Sequence, residues 1–273
     1  MAEIGIVETK NIIATINDKY NVDFSDYALT SFKRRIERVM DNYNFKYHDL
    51  LINRLTEDPK FLETFIYETS VPSSEMFRDP SLWRLLRDEI LPSLVRDNSQ
   101  PFKIWLPNSV SGDELFSLAI LLHEMDLLGK VQIFVSTLSD QSLELIKSGI
   151  ISSSKLEIST DNYVRANGKG LFSDYFREEG SAIIRNTDLI RGVTFLKQDI
   201  ILESFPQGIK LVFYRNKMIY FNQVLQWKVL KNISQAMLQG GLFIIGTKET
   251  LSNIYTNTDF ALISDNESIY RKK

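Results

Sequence analysis

Leu211-Val212-Phe213-Tyr214-Arg215-Asn216-Lys217-Met218-Ile219-Tyr220-Phe221-Asn222 decides the fold. A β-branched and aromatic run reaches Tyr214, then breaks at the polar Arg215-Asn216-Lys217. A second apolar group leads into Asn222, a side chain suited to cap the helix that starts there. A strand that ends in a polar tip ahead of a helix is where open α/β sheets place their ligands. Asn216 and Tyr220 are therefore candidate site residues on pattern alone.

Downstream, the pattern predicts a helix from Asn222 to Gln239 with Gly240-Gly241 as its stop, then a strand from Leu242 to Gly246. Phe260 to Ile263 and Ser268 to Tyr270 flank Asp265-Asn266 and read as a terminal hairpin. Upstream, short apolar runs at Phe102–Leu106, Val131–Val135, Val193–Leu196 and Lys210–Tyr214 read as strands. Helices starting at Ser111 and Gln141 separate the first three, the second of them stopping at Gly149. That alternation means βαβ units and a mostly parallel sheet. Residues from about 150 to 192 are rich in Ser, Asn, Gly and charge, and interrupt it. They read as a small inserted β subdomain or an excursion over the site.

The first 95 residues read as helical. Ser31–Tyr43 spaces Phe32, Ile36, Val39, Met40 and Tyr43 on one face. His48–Leu55 follows, and Pro59 opens a helix with Phe61, Leu62, Phe65 and Ile66 inward. Ser81–Ile90 is a further helix that Pro92 should end, and Arg96 to Pro101 reads as a linker. The expected fold class is α/β: a helical N-terminal domain over 1–95, then a sheet domain over 96–273 with an insert at about 150–192.

Composition narrows the function classes. Of 273 residues, 44% are apolar and 25% charged, enough for a substantial core. A formal net charge of -3 gives no electrostatic case for nucleic acid. The absence of cysteine excludes disulfides, thiolate catalysis and thiolate metal sites. His48 and His123 stand far apart on helical patterns, so no metal site is expected. The N-terminus carries no signal peptide, and apolar clusters such as Ala119–Leu122 are too short to span a bilayer. The chain reads as a cytoplasmic monomer without membrane insertion.

Several stretches could carry chemistry. The turn from Leu106 to Glu114 holds only Gly112 where a nucleotide turn wants several glycines. Ser111-Gly112-Asp113-Glu114 also fits a helix capping box, the simpler reading from spacing alone. The strand ending Val135-Ser136-Thr137 has no carboxylate at its tip, and Asp140 reads as the cap of the next helix. Arg78 lies between Pro72 and a helix; it could grip a carboxylate with two parallel bonds or pair with Glu75 or Asp79. Lys33, Arg34, Arg35 and Arg38 form either a solvated helix face, with Lys33 paired to Glu37, or a surface for an acidic partner.

Four stretches in order resemble the chemotaxis receptor methyltransferases: Phe32-Lys33-Arg34-Arg35-Ile36; Ser74-Glu75-Met76-Phe77-Arg78-Asp79-Pro80; Ser111-Gly112-Asp113-Glu114; and Arg215 to Asn222 continued to Gly240-Gly241. Gly246-Thr247-Lys248-Glu249 matches as well. The resemblance implies a class I, Rossmann-like methyltransferase sheet after a helical domain, with a small inserted β subdomain. It implies methyl transfer from S-adenosylmethionine to glutamate side chains of a chemoreceptor or another acidic signalling protein. It assigns Arg78 and Tyr220 to catalysis, and Ser74, Arg78, Ser111, Gly112, Glu114, Thr137, Asp199, Ile200 and Asn216 to the cofactor. Lys33, Arg34, Arg35 and Arg38 become the partner-binding group.

The chain departs from the family at Pro72, where Asn is usual, and at Thr137, where an acid binds the ribose. Asp199 stands where the family has Asn near the adenine. Losing a ribose carboxylate removes charge-assisted hydrogen bonds, about 1.5–3 kcal/mol, or roughly ten- to hundredfold in affinity. Two readings follow from the sequence: a divergent glutamate methyltransferase, or a pseudo-methyltransferase kept as an interaction module.

Overall fold

The computed structural model describes residues 3–70, 75–96, 101–199, 201, 205–251 and 259–273. Pro72, Ser74, Ile200 and most of the Arg96–Pro101 linker lie outside them. Four helices come first: α1 (Ile6–Tyr20), α2 (Leu29–Asn42), α3 (His48–Glu57) and α4 (Pro59–Thr69). They close on one apolar core that includes Ile12, Ile16, Phe32, Ile36, Val39, Leu51, Leu55 and Phe65. The α2 contributions fall at the helical spacing the sequence displays. Asp58 caps α4 by accepting the Lys60 N–H, and Pro59 occupies its first turn.

The next helix does not end at Pro92. It runs as α5 (Pro80–Leu85), a π turn (Leu86–Ile90) and α6 (Leu91–Arg96). Within it the Leu91 N–H bonds the Leu86 carbonyl, one residue beyond the usual partner. That widened turn shifts the bonding register just where Pro92 lacks a donor, so the helix absorbs the proline.

Alternating strands and helices then build the sheet: β1 (Phe102–Leu106), α7 (Asp113–Glu124), β2 (Val131–Thr137) and α8 (Asp140–Ser148). The interruption holds β3 (Ile150–Ile151), α9 (Leu156–Arg165), β4 (Phe176–Glu179) and β5 (Ala182–Arg185). The sheet resumes with β6 (Thr194–Lys197), β7 (Ile209–Phe213), α10 (Gln223–Ala236), β8 (Met237–Ile244), β9 (Phe260–Ser264) and β10 (Ile269–Lys272). Seven strands order as β6-β2-β1-β7-β8-β10-β9, with β10 antiparallel to both neighbours. The chain moves outward from β1 to β2 and β6, then returns to the other side of β1 at β7. That reversal opens a crevice at the carboxyl ends of β1 and β7.

Two boundaries differ from the sequence reading. Helix α10 ends at Ala236, and Gly240-Gly241 lies inside strand β8 rather than behind the helix. Gly240 has φ +75°, and a Cβ on Gly241 would stand 2.9 Å from the Leu238 carbonyl oxygen and 3.2 Å from that of Ile209. Pairing of β7 with β8 shifts register there, so the two glycines serve a β-bulge. Helix α8 is capped by Ser139, which accepts the Ser142 N–H; Asp140 is its first residue and pairs with Lys197 at 2.7 Å.

The insert is a three-stranded antiparallel sheet, β3-β5-β4, with helix α9 beside it. Helix α9 is not foreseen from the sequence, because polar residues face its packed side. Ser159 accepts the Met76 N–H at 3.2 Å, and Asn162 donates to the Met76 carbonyl at 3.2 Å. Among the described residues no helix is long and apolar enough to cross a membrane, and no group of side chains could hold a metal.

Asp26 fastens the helical part to the sheet. Its carbonyl accepts the Asn222 N–H at 2.9 Å, and its carboxylate accepts from Asn222 Nδ2 at 3.0 Å and Lys228 Nζ at 2.8 Å. The hydrogen bond from Lys228 is the largest of the effects that together hold this carboxyl below its ordinary value. A depressed carboxyl stabilises the fold above its unfolded pKa of about 3.9 and loses that contribution as pH falls through the folded value. Asp26→Asn is therefore expected to lower Tm at pH 7, with the gap to the native chain closing below about pH 3.5. A gap that stays constant from pH 7 to pH 3 in thermal melts would show that Asp26 is not the acid-sensitive fastening.

Candidate active site

The crevice begins with the turn after β1. Asn108 takes φ +53°, and the Ser109 N–H reaches across to the Ser136 carbonyl at the end of β2, 2.9 Å away. Gly112, at φ +75°, is the N-cap of α7 and no side chain caps the helix. The capping box is thus not formed. Ser111 Oγ donates instead to Asp113 Oδ2 at 2.7 Å, and Glu114 turns to another partner.

That partner is Arg215, 3% exposed. Its Nη1 donates to Glu114 Oε1 at 3.1 Å, and Nη2 pairs with Asp79. One cation so ties the tip of β7 to the start of α7 and to the segment ahead of α5. Asn216 follows in a left-handed conformation, φ +56°. Its N–H donates to Glu249 Oε2 at 2.8 Å, and Glu249 also accepts the N–H groups of Gly246 at 2.7 Å and Ile219 at 3.2 Å. Lys217 Nζ donates to the Pro107 carbonyl at 2.6 Å, and burial lowers its pKa from the ordinary value.

Two adjoining clefts result. The first, about 50 Å³, lies between the 108–114 turn and Arg215-Asn216-Lys217. The second, about 40 Å³, lies against Phe24, Tyr27, Arg35, Thr69, Tyr220 and Phe221. Both are lined by Asn108, Val110 and Lys217, which places them side by side.

Ser111, Gly112, Glu114 and Asn216 line the first cleft, and Tyr220 the second. Arg78, Thr137 and Asp199 line neither. Arg78 stands between Phe77 at φ +53° and Asp79 at φ +57°, left-handed conformations that cost bulky residues strain and cluster at functional sites. Its side chain is 33% exposed, with Nε 3.9 Å from Glu75 Oε1. Thr137 is buried, and its carbonyl accepts the Gln198 N–H at 2.8 Å. Asp199 accepts the Ile201 N–H at 2.8 Å. Ser74 and Ile200 lie outside the described residues.

The basic residues of α2 divide. Arg34 and Arg38 are exposed, with Arg38 Nη2 on the Glu68 carbonyl at 2.6 Å, and Lys33 pairs with Glu37 at 2.9 Å. Arg35 leaves that outer face and enters the second cleft. Its guanidinium lies 4.2 Å from the centre of the Tyr220 ring, and Nη1 donates to the Thr69 carbonyl at 2.9 Å. Its Nη2 is buried and has no partner among the described residues. Arg215, Glu249 and the inward turn of Arg35 were missed from sequence. Arg215 and Glu249 both lie in stretches that match the family, but the match named no role for either.

The donor set suits the cofactor that the resemblance implies at one end. Glu114 spends Oε1 on Arg215, and Oε2 has no partner among the described residues. A carboxylate facing a cleft beside a helix N-terminus and open backbone amides fits an amino-acid head group, ammonium and carboxylate together. The nucleoside end has no acid at the β2 tip, where Thr137 stands buried. So Ser111, Gly112, Glu114 and Asn216 would hold the amino-acid end, and neutral groups would serve the rest.

Comparison with known proteins agrees with this geometry. Residues 72–268 match the family model described as "CheR methyltransferase, SAM binding domain", and residues 8–69 match "CheR methyltransferase, all-alpha domain". The Cher3 protein of Pseudomonas putida is 30% identical over 266 residues, covering 97% of each chain. A chemotaxis protein methyltransferase of Listeria innocua is 23% identical over 92% of each chain, and one of Pseudomonas aeruginosa 26% identical over 81% of each. The matched sheet domain binds S-adenosylmethionine, which is the cofactor of this fold. A switch-point crevice floored by the Ser111–Glu114 turn, with a helical domain closing over Tyr220, is the arrangement these matches lead one to expect, and the chain belongs to the CheR methyltransferase family.

Proposed function

We propose that the chain transfers a methyl group from S-adenosylmethionine to a glutamate side chain of an acidic signalling protein of the chemoreceptor kind. One observation carries this reading: Arg35 places a half-buried guanidinium in a cleft beside the cofactor cleft, with its buried Nη2 lacking a partner among the described residues. A buried cation with a free donor is costly unless an anion completes it, and a carboxylate is the matching anion. The similarity to chemotaxis protein methyltransferases of Listeria innocua and Pseudomonas aeruginosa supports the signalling context.

When bound, the cofactor supplies a sulfonium methyl that is electrophilic without activation. Glutamate is already an anion near neutral pH. The residues therefore need to hold and orient a carboxylate, exclude water and take no proton. Arg35 and Tyr220 supply the pair that lines the acceptor cleft. The resemblance gives Arg78 the same task, but its side chain lies 3.9 Å from Glu75 and lines neither cleft. Glu114 would hold the cofactor's ammonium, and Arg215 keeps Glu114 in place.

Isothermal titration with S-adenosylhomocysteine tests the reading. Binding with Kd at or below about 1 mM, together with transfer of labelled methyl to glutamate-bearing receptor helices, is the expected result. No heat and no thermal shift at millimolar ligand would sink it. That outcome would favour the second reading, an interaction module without catalysis, for which the buried Thr137 at the β2 tip is the supporting observation.

A further inference from the structure

The cofactor turn is held by a residue of the inserted subdomain. Asp113, 1% exposed, follows the Gly112 cap and stands under the first cleft. Its carboxylate accepts from Ser111 Oγ at 2.7 Å and from Lys155 Nζ at 3.2 Å, and it pairs with Arg185. Arg185 comes from β5 of the insert and is itself 2% exposed. Its second arm, Nη1, donates to the Ser111 carbonyl at 3.2 Å, and its guanidinium lies 4.9 Å from the centre of the Phe116 ring. One planar fork thus grips both the carboxylate and the backbone of the turn that lines the cofactor cleft.

The other end of α7 is tied to the insert as well. Glu124 accepts from Tyr163 Oη at 2.5 Å, from the Lys169 N–H at 3.1 Å and from Arg87 Nη2 at 2.8 Å. These contacts lie far from the cleft. They hold the insert in place without touching the Ser111–Glu114 turn.

We propose that Arg185 is a positioning residue of the cofactor site: the insert, through Arg185, sets the conformation of the Ser111-Gly112-Asp113 turn and thereby the affinity for S-adenosylmethionine. This rests on the proposed function only for its affinity arm. The physical ground is the fork. Ser111 and Gly112 are backbone contacts, so their amides and carbonyls must be aimed by something else. Gly112, at φ +75°, is the one residue of the Ser111–Glu114 stretch without a Cβ, a pivot that gains from stiffness supplied by its surroundings. Arg185 supplies that stiffness from outside, and its partner Asp113 is saturated by three donors. Lysine would keep a charge beside Asp113 but would replace the planar fork with one ammonium on a flexible stem, losing the fixed two-point grip on Asp113 and the Ser111 carbonyl.

Three variants decide the question: Arg185→Met, Arg185→Lys and Tyr163→Phe. Each is measured for Tm, for amide hydrogen exchange of the 106–116 segment, and for S-adenosylhomocysteine affinity by calorimetry. Arg185→Met is expected to speed exchange of the turn at least tenfold and to weaken affinity by roughly ten- to hundredfold, as small misplacements of contact groups do. Arg185→Lys should recover most of the Tm yet keep the fast exchange and the weak binding. Tyr163→Phe should lower Tm while leaving turn exchange and affinity within about twofold, because its contact lies at the far end of α7.

Exchange and affinity that simply follow Tm across the three variants would overturn the proposal, as would an Arg185→Lys chain with native exchange in the turn. If Arg185→Met does not fold, Arg185→Lys against Tyr163→Phe makes the same comparison. If the native chain takes no S-adenosylhomocysteine, the proposed function falls, and the exchange measurement still decides whether Arg185 sets the turn.

Discussion

Arg215→Met is expected to lower Tm by about 6–12 °C and to abolish measurable S-adenosylhomocysteine binding. The side chain is 3% exposed and joins Glu114 and Asp79. Removing the cation leaves two carboxylates facing one another without it. Breaking a buried ion network in this way costs about 3 kcal/mol or more, and each kcal/mol moves Tm by roughly 2–4 °C in a chain of this size. Asp79 keeps 30% side-chain exposure, so water relieves part of its loss. Glu114, 12% exposed, has less such relief and would swing away, removing the anion that would meet the cofactor's ammonium. Neutralising both acids in the same chain, Asp79→Asn with Glu114→Gln, should return about half of the lost Tm and none of the binding. A fall in Tm of less than about 2 °C for Arg215→Met would show that the network is not what holds the β7 tip to α7.

Arg35→Met should reduce kcat/KM for the acceptor by on the order of a hundredfold while leaving S-adenosylhomocysteine affinity within about threefold. Methionine keeps an apolar stem against the Tyr220 ring, so the loss reports the charge and its unspent N–H. The effect belongs mainly in the acceptor KM. Methylation neutralises the carboxylate, so a cation that holds the anion binds and orients it without favouring the transition state over the ground state. Arg34→Met is the companion variant on the exposed side of α2. It should change the salt dependence of partner binding more than the chemistry. Equal losses of acceptor turnover and cofactor affinity in Arg35→Met would remove Arg35 from the acceptor cleft.

The fold was legible because its signals are local. Strand β1 occupies Phe102–Leu106 as the apolar run indicates, and Asn222 caps α10 by accepting the Leu225 N–H. The errors are also local signals, each overruled by a distant group. Pro92 reads as a stop, yet the π turn before it carries the helix on. Gly240-Gly241 reads as a helix end, yet the Ile209 carbonyl of β7 occupies the space a Cβ would need, which makes it a strand bulge. The stretch holding Ser159 and Asn162 reads as part of an inserted β subdomain or an excursion over the site, yet the Met76 backbone supplies both residues with partners and α9 forms around those bonds.

The site divides the same way. Gly112, Glu114, Asn216 and Tyr220 come from short motifs at strand ends, so sequence alone marks them and the family to which they belong. Arg215 finds Glu114 across 101 residues, and Arg185 finds Asp113 across 72. Nothing in a linear pattern distinguishes such pairs from the other charged residues of the chain. Arg34 and Arg35 are adjacent in the same basic run; the 100° between neighbours on a helix sends one to solvent and the other into the cleft. Sequence by itself determined most of the elements of the sheet domain and the family to which they belong, because propensity and periodicity act over a few residues. Only the tertiary structure decided which charges are buried together, because that depends on where separate elements meet once the core has closed.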